Sequence, residues 1–181
     1  SADGTRIAFA TYERGPLHTV DVRDHRISTV ATAGSGGSAW NSGGDLLFSA
    51  ADNALHRDDS SGRTSRVTTL DPGANEIEHA WPVFLPDGNR FLYLARATRP
   101  SDSRLFLSAL DAPHERRLLA VTHSAPFYAD GLLLFIYEGI LMAQPFDPDS
   151  GRVTGLALPL AVGLHWDEWT AEAAVTATSG G

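Results

Sequence analysis

Apolar residues in this chain come in short runs of four to eight, each closed by a turn rich in Gly, Asp or Pro. β-Branched and aromatic residues are frequent in the runs, and no window sustains the 3.6-residue apolar period of an amphipathic helix. The pattern predicts an all-β chain. Its clearest element is Trp81 to Ala95, WPVFLPDGNRFLYLA, which reads as two antiparallel strands joined at Pro86-Asp87-Gly88. Glycine accepts the positive φ that such turns demand, so Asp-Gly between two apolar runs is a strong hairpin signal.

The hairpin recurs. Turn glycines stand at Gly4, Gly44, Gly88 and Gly131, at intervals of 40, 44 and 43 residues. That is the period of a propeller blade, in which four antiparallel strands occupy roughly 40–45 residues. After each glycine comes an apolar strand: Ile7–Ala10, Leu46–Ala50, Phe91–Ala95 and Leu132–Tyr137. The second strands are Thr19–Val22, Ala54–Arg57, Leu105–Leu110 and Ile140–Phe146. Third strands are expected at Ile27–Thr32, Arg66–Leu70, Arg117–Val121 and Leu156–Val162. Strands at Ser38–Trp40, Trp81–Leu85, Pro126–Tyr128 and Ala173–Thr178 complete the units. The chain therefore reads as one β-propeller domain over 1–181, with repeat units at about 4–43, 44–87, 88–130 and 131–178. The frame is permuted by one strand. Two arrangements fit it: a closed four-bladed ring, with Ala173–Thr178 paired to Ile7–Ala10, or part of a larger propeller of six or more blades.

Composition narrows the function classes. Fourteen basic residues, all Arg, oppose twenty-two acidic ones for a net charge of −8, which disfavours nucleic acid as a partner. The absence of cysteine excludes a disulfide framework, thiolate zinc sites and a thiol nucleophile, and fits either the cytoplasm or the periplasm. The longest apolar runs, Leu132–Tyr137 and Leu156–Leu164, fall well short of the roughly 20 residues that span a bilayer, so this segment is not expected to insert.

Catalytic signatures are missing. His56-Arg57-Asp58 echoes a kinase catalytic loop, but Arg63 stands where the metal-binding Asn belongs and there is no Asp-Phe-Gly. Gly34–Gly37 lacks the Lys or following helix of a phosphate loop and reads as a flexible connection between blades. No G-x-S-x-G elbow occurs. The chain is accordingly read as a non-enzyme without a cofactor. Candidate binding residues cluster where the innermost strands begin. His79 and His123 stand nine and eight residues before their turn glycines, and equivalent positions around a ring converge on its channel. His165 and Asp167 lie in the next such loop. Imidazoles and carboxylates suit metals, but solvated loop positions account for them better, and no metal is assigned. Trp81, Trp166 and Trp169 could offer an aromatic platform, although inter-blade packing explains Trp81 better. Arg96 and Arg99 belong to a loop expected on the same face.

The repeated W-x-x-x-P-D-G-x-x-[FIL]-x-[FY] pattern resembles the TolB-like, or WD-repeat-like, β-propeller. The match is sharpest in PVFLPDGNRFLYLAR, SRLFLSALD and GLLLFIYEGILMAQPFDPDSGRVTGLALPLA, which are similar to propellers fused to bacterial serine/threonine kinases and related sensors. Gly43-Gly44 and Ala2 depart from the pattern in the first two units. The resemblance implies an extracytoplasmic module for protein interaction or ligand sensing, with a protein or small molecule as partner and no shared catalytic residues. Serine peptidases of the prolyl oligopeptidase type carry a similar propeller, so a substrate-gating role beside a hydrolase domain is the alternative. An open ring would expose strand edges and blade faces and so promote self-association.

Overall fold

The computed structural model describes residues 1–11, 14–164, 167 and 171, with Ser35 in its backbone alone. Among these residues there is no α-helix, only two single-turn 3-10 helices at Pro72–Ala74 and Pro100–Asp102. Antiparallel strands follow one another in meander order and form four blades. The first comprises β1 (Arg6–Ala10), β2 (Pro16–Asp21) and the front of β3 (Ile27–Trp40). The back of β3, β4 (Leu46–Ala50), β5 (Leu55–Asp58) and β6 (Thr64–Arg66) form the second. The third is β7 (Glu76–Phe84), β8 (Arg90–Ala97), β9 (Arg104–Ala109) and β10 (Arg117–Val121). In the fourth, β11 (Phe127–Ala129), β12 (Leu132–Tyr137) and β13 (Ile140–Asp147) are followed by β14 (Arg152–Val153) and β15 (Leu158–Val162), which both pair with β13.

The turn glycines behave as their spacing predicts. Gly4, Gly44, Gly88 and Gly131 all have φ between 69° and 84°. At the Trp81–Ala95 hairpin, Leu85 N donates to Arg90 O at 2.8 Å, and the Asp87 carboxylate accepts from the backbone N–H groups of Asn89 and Arg90. The turns also tie blades together. Asn41 Nδ2 donates to Asp45 Oδ2 and to Gly88 O in the next blade, both at 2.8 Å, while its Oδ1 accepts from Asp45 N.

The core is a series of layers between blades. Leu17 and Ala33 meet Leu46, Phe48 and Ala50 between the first two. Leu47, Leu55 and Val67 pack on Phe91, Tyr93 and Ala95 between the second and third. Leu92, Leu105 and Leu107 meet Leu133, Phe135 and Phe146 between the third and fourth. Successive side chains of a strand point to opposite faces, so the central strands serve both neighbours at once: Leu46 and Phe48 toward one, Leu47 toward the other. That is why these runs are continuously apolar rather than alternating.

Several sequence expectations are corrected. Gly34–Gly37 is not a flexible connection but part of β3, packed against its neighbours. The third strand of the second blade is Thr64–Arg66 rather than Arg66–Leu70: Val67 and Thr68 leave the ladder, both donating N–H to Leu55 O. The expected strand Trp81–Leu85 starts earlier, at Glu76; Leu156–Val162 is shortened to β15 at Leu158–Val162, and the two-residue β14 at Arg152–Val153 precedes it. The ring-closing pair Ala173–Thr178 with Ile7–Ala10 lies outside the described residues.

Candidate functional site

The junction between β3 and β7 carries an unusual stretch of backbone. The β3–β4 ladder is interrupted between the pairs Ala33/Ala50 and Ser38/Phe48, leaving Gly34–Gly37 opposite Ser49 alone. Those glycines are dictated by close approach. A Cβ on Gly36 would lie 2.4 Å from the Ala80 Cβ, and one on Gly37 would lie 2.8 Å from Cε3 of Trp81. Trp81 itself has φ 55°, a left-handed conformation rare for a bulky residue, at a bulge in the β7–β8 ladder. Such strain persists only where the surroundings over-determine it, and it concentrates at functional sites.

Beside this junction opens a cleft of about 380 Å³, lined by Phe9, Leu17, Phe48 and Trp81 together with Ser38 and Ser49. Apolar walls with a few convergent polar groups are the usual make-up of a ligand pocket. Behind Ser49 lies the buried Glu78, whose Oε1 accepts from Ser49 Oγ at 3.4 Å and whose other oxygen is paired with Arg96. The polar end of the cleft is thus backed by an ion pair rather than by a titratable group held alone.

His79, next in sequence, is not at a channel entrance. It is fully buried between the second and third blades, its ring 4.9 Å from that of Tyr93. The Glu76 carboxylate can only accept, so His79 Nε2, 2.9 Å from Glu76 Oε2, carries a hydrogen and donates it. His79 Nδ1 lies 2.8 Å from Thr68 Oγ1, which also accepts from Leu55 N at 2.9 Å. Arg116 completes the chain, donating to Glu76 Oε1 at 2.6 Å while its guanidinium lies over the Phe106 ring. Burial acts to raise the Glu76 pKa, but the bonds from His79, Asp71 N–H and Arg116 outweigh it and hold the carboxyl below its ordinary range. Burial also pushes the Tyr93 phenol up to about 12. The cluster is a satisfied polar core and offers nothing to a ligand.

The remaining sequence candidates are dispersed. His123 is half-buried in the loop before β11, between Thr122 and Ser124, whose hydroxyls bond to the backbone of Ile136. It does not match His79, which lies within a nine-residue strand. Arg96 belongs to the Glu78 pair behind the cleft, whereas Arg99 is exposed ahead of Pro100–Asp102. Asp167 is exposed, and His165, Trp166 and Trp169 lie outside the described residues. Among the described residues no group of three or more His, Cys, Asp or Glu is arranged to hold a metal. Sequence reasoning missed the walls Phe9 and Phe48 and the buried Ser49–Glu78 pair. Phe9 and Phe48 were visible as the repeated aromatic after each turn glycine, but not as neighbours of Trp81.

Comparison of the fold with solved structures places it among β-propellers. TolB from Acinetobacter baumannii superposes over 90% of this chain and 42% of its own, with a TM-score of 0.64 and 14% identity. Virginiamycin B lyase from Staphylococcus aureus matches over 88% of this chain and 55% of its own, with a TM-score of 0.58 and 17% identity. A puromycin-hydrolysing peptidase from Mycobacterium tuberculosis matches over 86% and 30%, with a TM-score of 0.60 and 15% identity. No family model matches the sequence, and no curated protein is similar to it. At these identities the likeness establishes the fold: the chain is a β-propeller consistent with the TolB-like kind. It spans about half or less of the length of these structures. No described helix is long and apolar enough to cross a membrane.

Proposed function

We propose that this chain is a non-catalytic binding module, taking a peptide or small-molecule ligand in the cleft beside Trp81. The observation that carries the reading is the strained Trp81 held on Gly37 at the rim of a largely apolar cleft that also includes Ser38 and Ser49. The resemblance to sensor-fused propellers supports a place outside the cytoplasm, as the receiving part of a bacterial receptor-type kinase or similar sensor. The likeness to a puromycin-hydrolysing peptidase favours a second reading, a propeller gating access to a hydrolase domain. Both readings use the same cleft without asking it for chemistry.

The test is selection of displayed random peptides on the immobilised protein, followed by calorimetry of the selected peptide on wild type, Trp81→Ala and Trp81→Phe. Loss of an aromatic anchor costs about tenfold in affinity or more, so binding should fall by that much in Trp81→Ala and partly recover in Trp81→Phe. Binding unaffected by both substitutions, with unchanged thermal transitions, would place the ligand elsewhere. Hydrolysis of ester or peptide model substrates that is lost on Ser49→Ala would overturn the non-catalytic reading.

A further inference from the structure

A second pocket, of about 390 Å³, opens between the first two blades and shares no lining residue with the cleft beside Trp81. Thr19, Asp21 and Ser28 line it from the first blade, and Asp58 and the β5–β6 turn at Gly62 line it from the second. Two of these groups are more than nine-tenths buried and incompletely used. Thr19 is 8% exposed, and its hydroxyl has no hydrogen-bond partner among the described residues. Asp58 is also 8% exposed. One of its carboxylate oxygens accepts from Thr64 Oγ1 at 3.3 Å, and no cation lies within ion-pairing distance among the described residues. Burial pushes its carboxyl above the ordinary range, and the charges of Asp59 and Asp45 act the same way. The arginines at the rim are committed elsewhere: Arg6 lies over the Trp40 ring and donates to Gly44 O, and Arg26 pairs with Asp24.

The corresponding wedge between the third and fourth blades is filled from within the chain. Thr19 and Leu107 hold equivalent places in their blades. Each pairs with the residue four after a turn glycine, Ala8 or Leu92, and on its other side with Ser28 or Arg117. The turns that face them share Ser-Gly-Arg, at Ser61–Arg63 and Ser150–Arg152. Leu107 packs so closely on Gly151 that a Cβ there would lie 2.5 Å from its Cδ2. Beside it, Arg90 and Arg117 donate guanidinium N–H groups to the carbonyls of Asp149, Ser150 and Gly151. A Cβ on Gly62 would meet nothing within 4 Å, and Ser28 stands where Arg117 would supply its guanidinium. We infer that the pocket between the first two blades takes a guanidinium from outside the chain, carried by an arginine side chain of a peptide or by a small guanidine, and holds it on the Asp58 carboxylate and the Thr19 hydroxyl. A planar guanidinium matches a carboxylate through two parallel hydrogen bonds and is more weakly hydrated than an ammonium, so it tolerates a half-enclosed site better. The net charge of −8 favours a cationic partner.

Titration of the isotope-labelled chain with ethylguanidine and with the tripeptide Gly-Arg-Gly, followed by amide chemical shifts, tests this; ethylamine and Gly-Lys-Gly are the controls. Both guanidinium probes should give saturable shifts at Thr19, Asp58 and Gly62, and the tighter of the two tells a peptide side chain from a small guanidine as the source. Asp58→Asn should weaken binding by about tenfold or more, the cost of a lost hydrogen bond to a charged group. Ser28→Arg supplies the guanidinium from within the chain and should abolish binding without lowering the thermal transition. If Ser28→Arg does lower it, Asp58→Asn alone decides. The absence of saturable shifts at these amides would overturn the proposal, as would binding untouched by Asp58→Asn. Equal binding of the amine controls would also overturn it, since that marks a response to charge alone.

Discussion

Gly37 and Trp81, one repeat apart in sequence, are in van der Waals contact through a space that only glycine leaves open. A side chain at 37 would meet the indole at 2.8 Å and would also have to adopt φ 73°. Gly37→Ala is therefore expected to destabilise the protein by about 2 kcal/mol, from overpacking and from the left-handed backbone together. Urea unfolding followed by circular dichroism measures it; a change within error would mean that the indole is free to move aside.

Thr68 links the amide of Leu55 to the imidazole of His79, so Thr68→Val leaves both buried groups without a partner. The expected loss is about 2 kcal/mol. Combined with His79→Phe, the double variant should lose less than the sum of the single ones, by roughly 1 kcal/mol. A denaturation-based double-mutant cycle reads that coupling, and strict additivity would contradict the network.

The Glu76 carboxyl gives stability a definite direction with pH. Its folded pKa lies below the ordinary value of 4.5 that applies in the unfolded chain, so the folded state releases its proton more readily. The stabilisation is complete above that ordinary value and is lost as pH falls through the folded one. Melting temperature should fall in acid, and Glu76→Gln should reduce the part of that fall due to this residue while lowering stability near neutral pH. A Glu76→Gln variant with the wild-type acid slope would assign the dependence to other carboxylates.

Asn41 joins two consecutive turns through Asp45 and the Gly88 carbonyl. Removing its amide in Asn41→Ala is expected to cost about 2 kcal/mol. Asn41→Asp should cost more at neutral pH, where it sets a second carboxylate against Asp45, and less in acid. Equal losses at both pH values would argue that the tie is sterically rather than electrostatically specified.

The architecture was legible because its signals are local. A turn glycine with positive φ, an acidic neighbour and a following apolar run are read from a handful of consecutive residues, and their period then gives the blades. Ends of strands were less legible: whether Val67 stays in the ladder depends on how Leu55 divides its hydrogen bonds with Thr68, which no propensity contains. The cleft was not legible at all. Its walls come from Phe9, Phe48 and Trp81, on three different blades, and its floor from glycines that look like a linker in sequence and become a contact only when Trp81 arrives. His79 illustrates the reverse case, a residue type that advertises chemistry but sits inside a satisfied core.

β3 is 14 residues long and belongs to two blades, closing the first and opening the second. No loop separates them, so the first two blades share one continuous strand, even though its pairing with β4 is broken at Gly34–Gly37, while the third and fourth are joined through the segment around Thr122 to Pro126. Opening the first blade must therefore strain the hydrogen bonds that seat the second. The front half of the chain should exchange its amide hydrogens as one cooperative unit, and a force or protease acting on β1 or β2 would be felt at the Trp81 cleft before it reached β12.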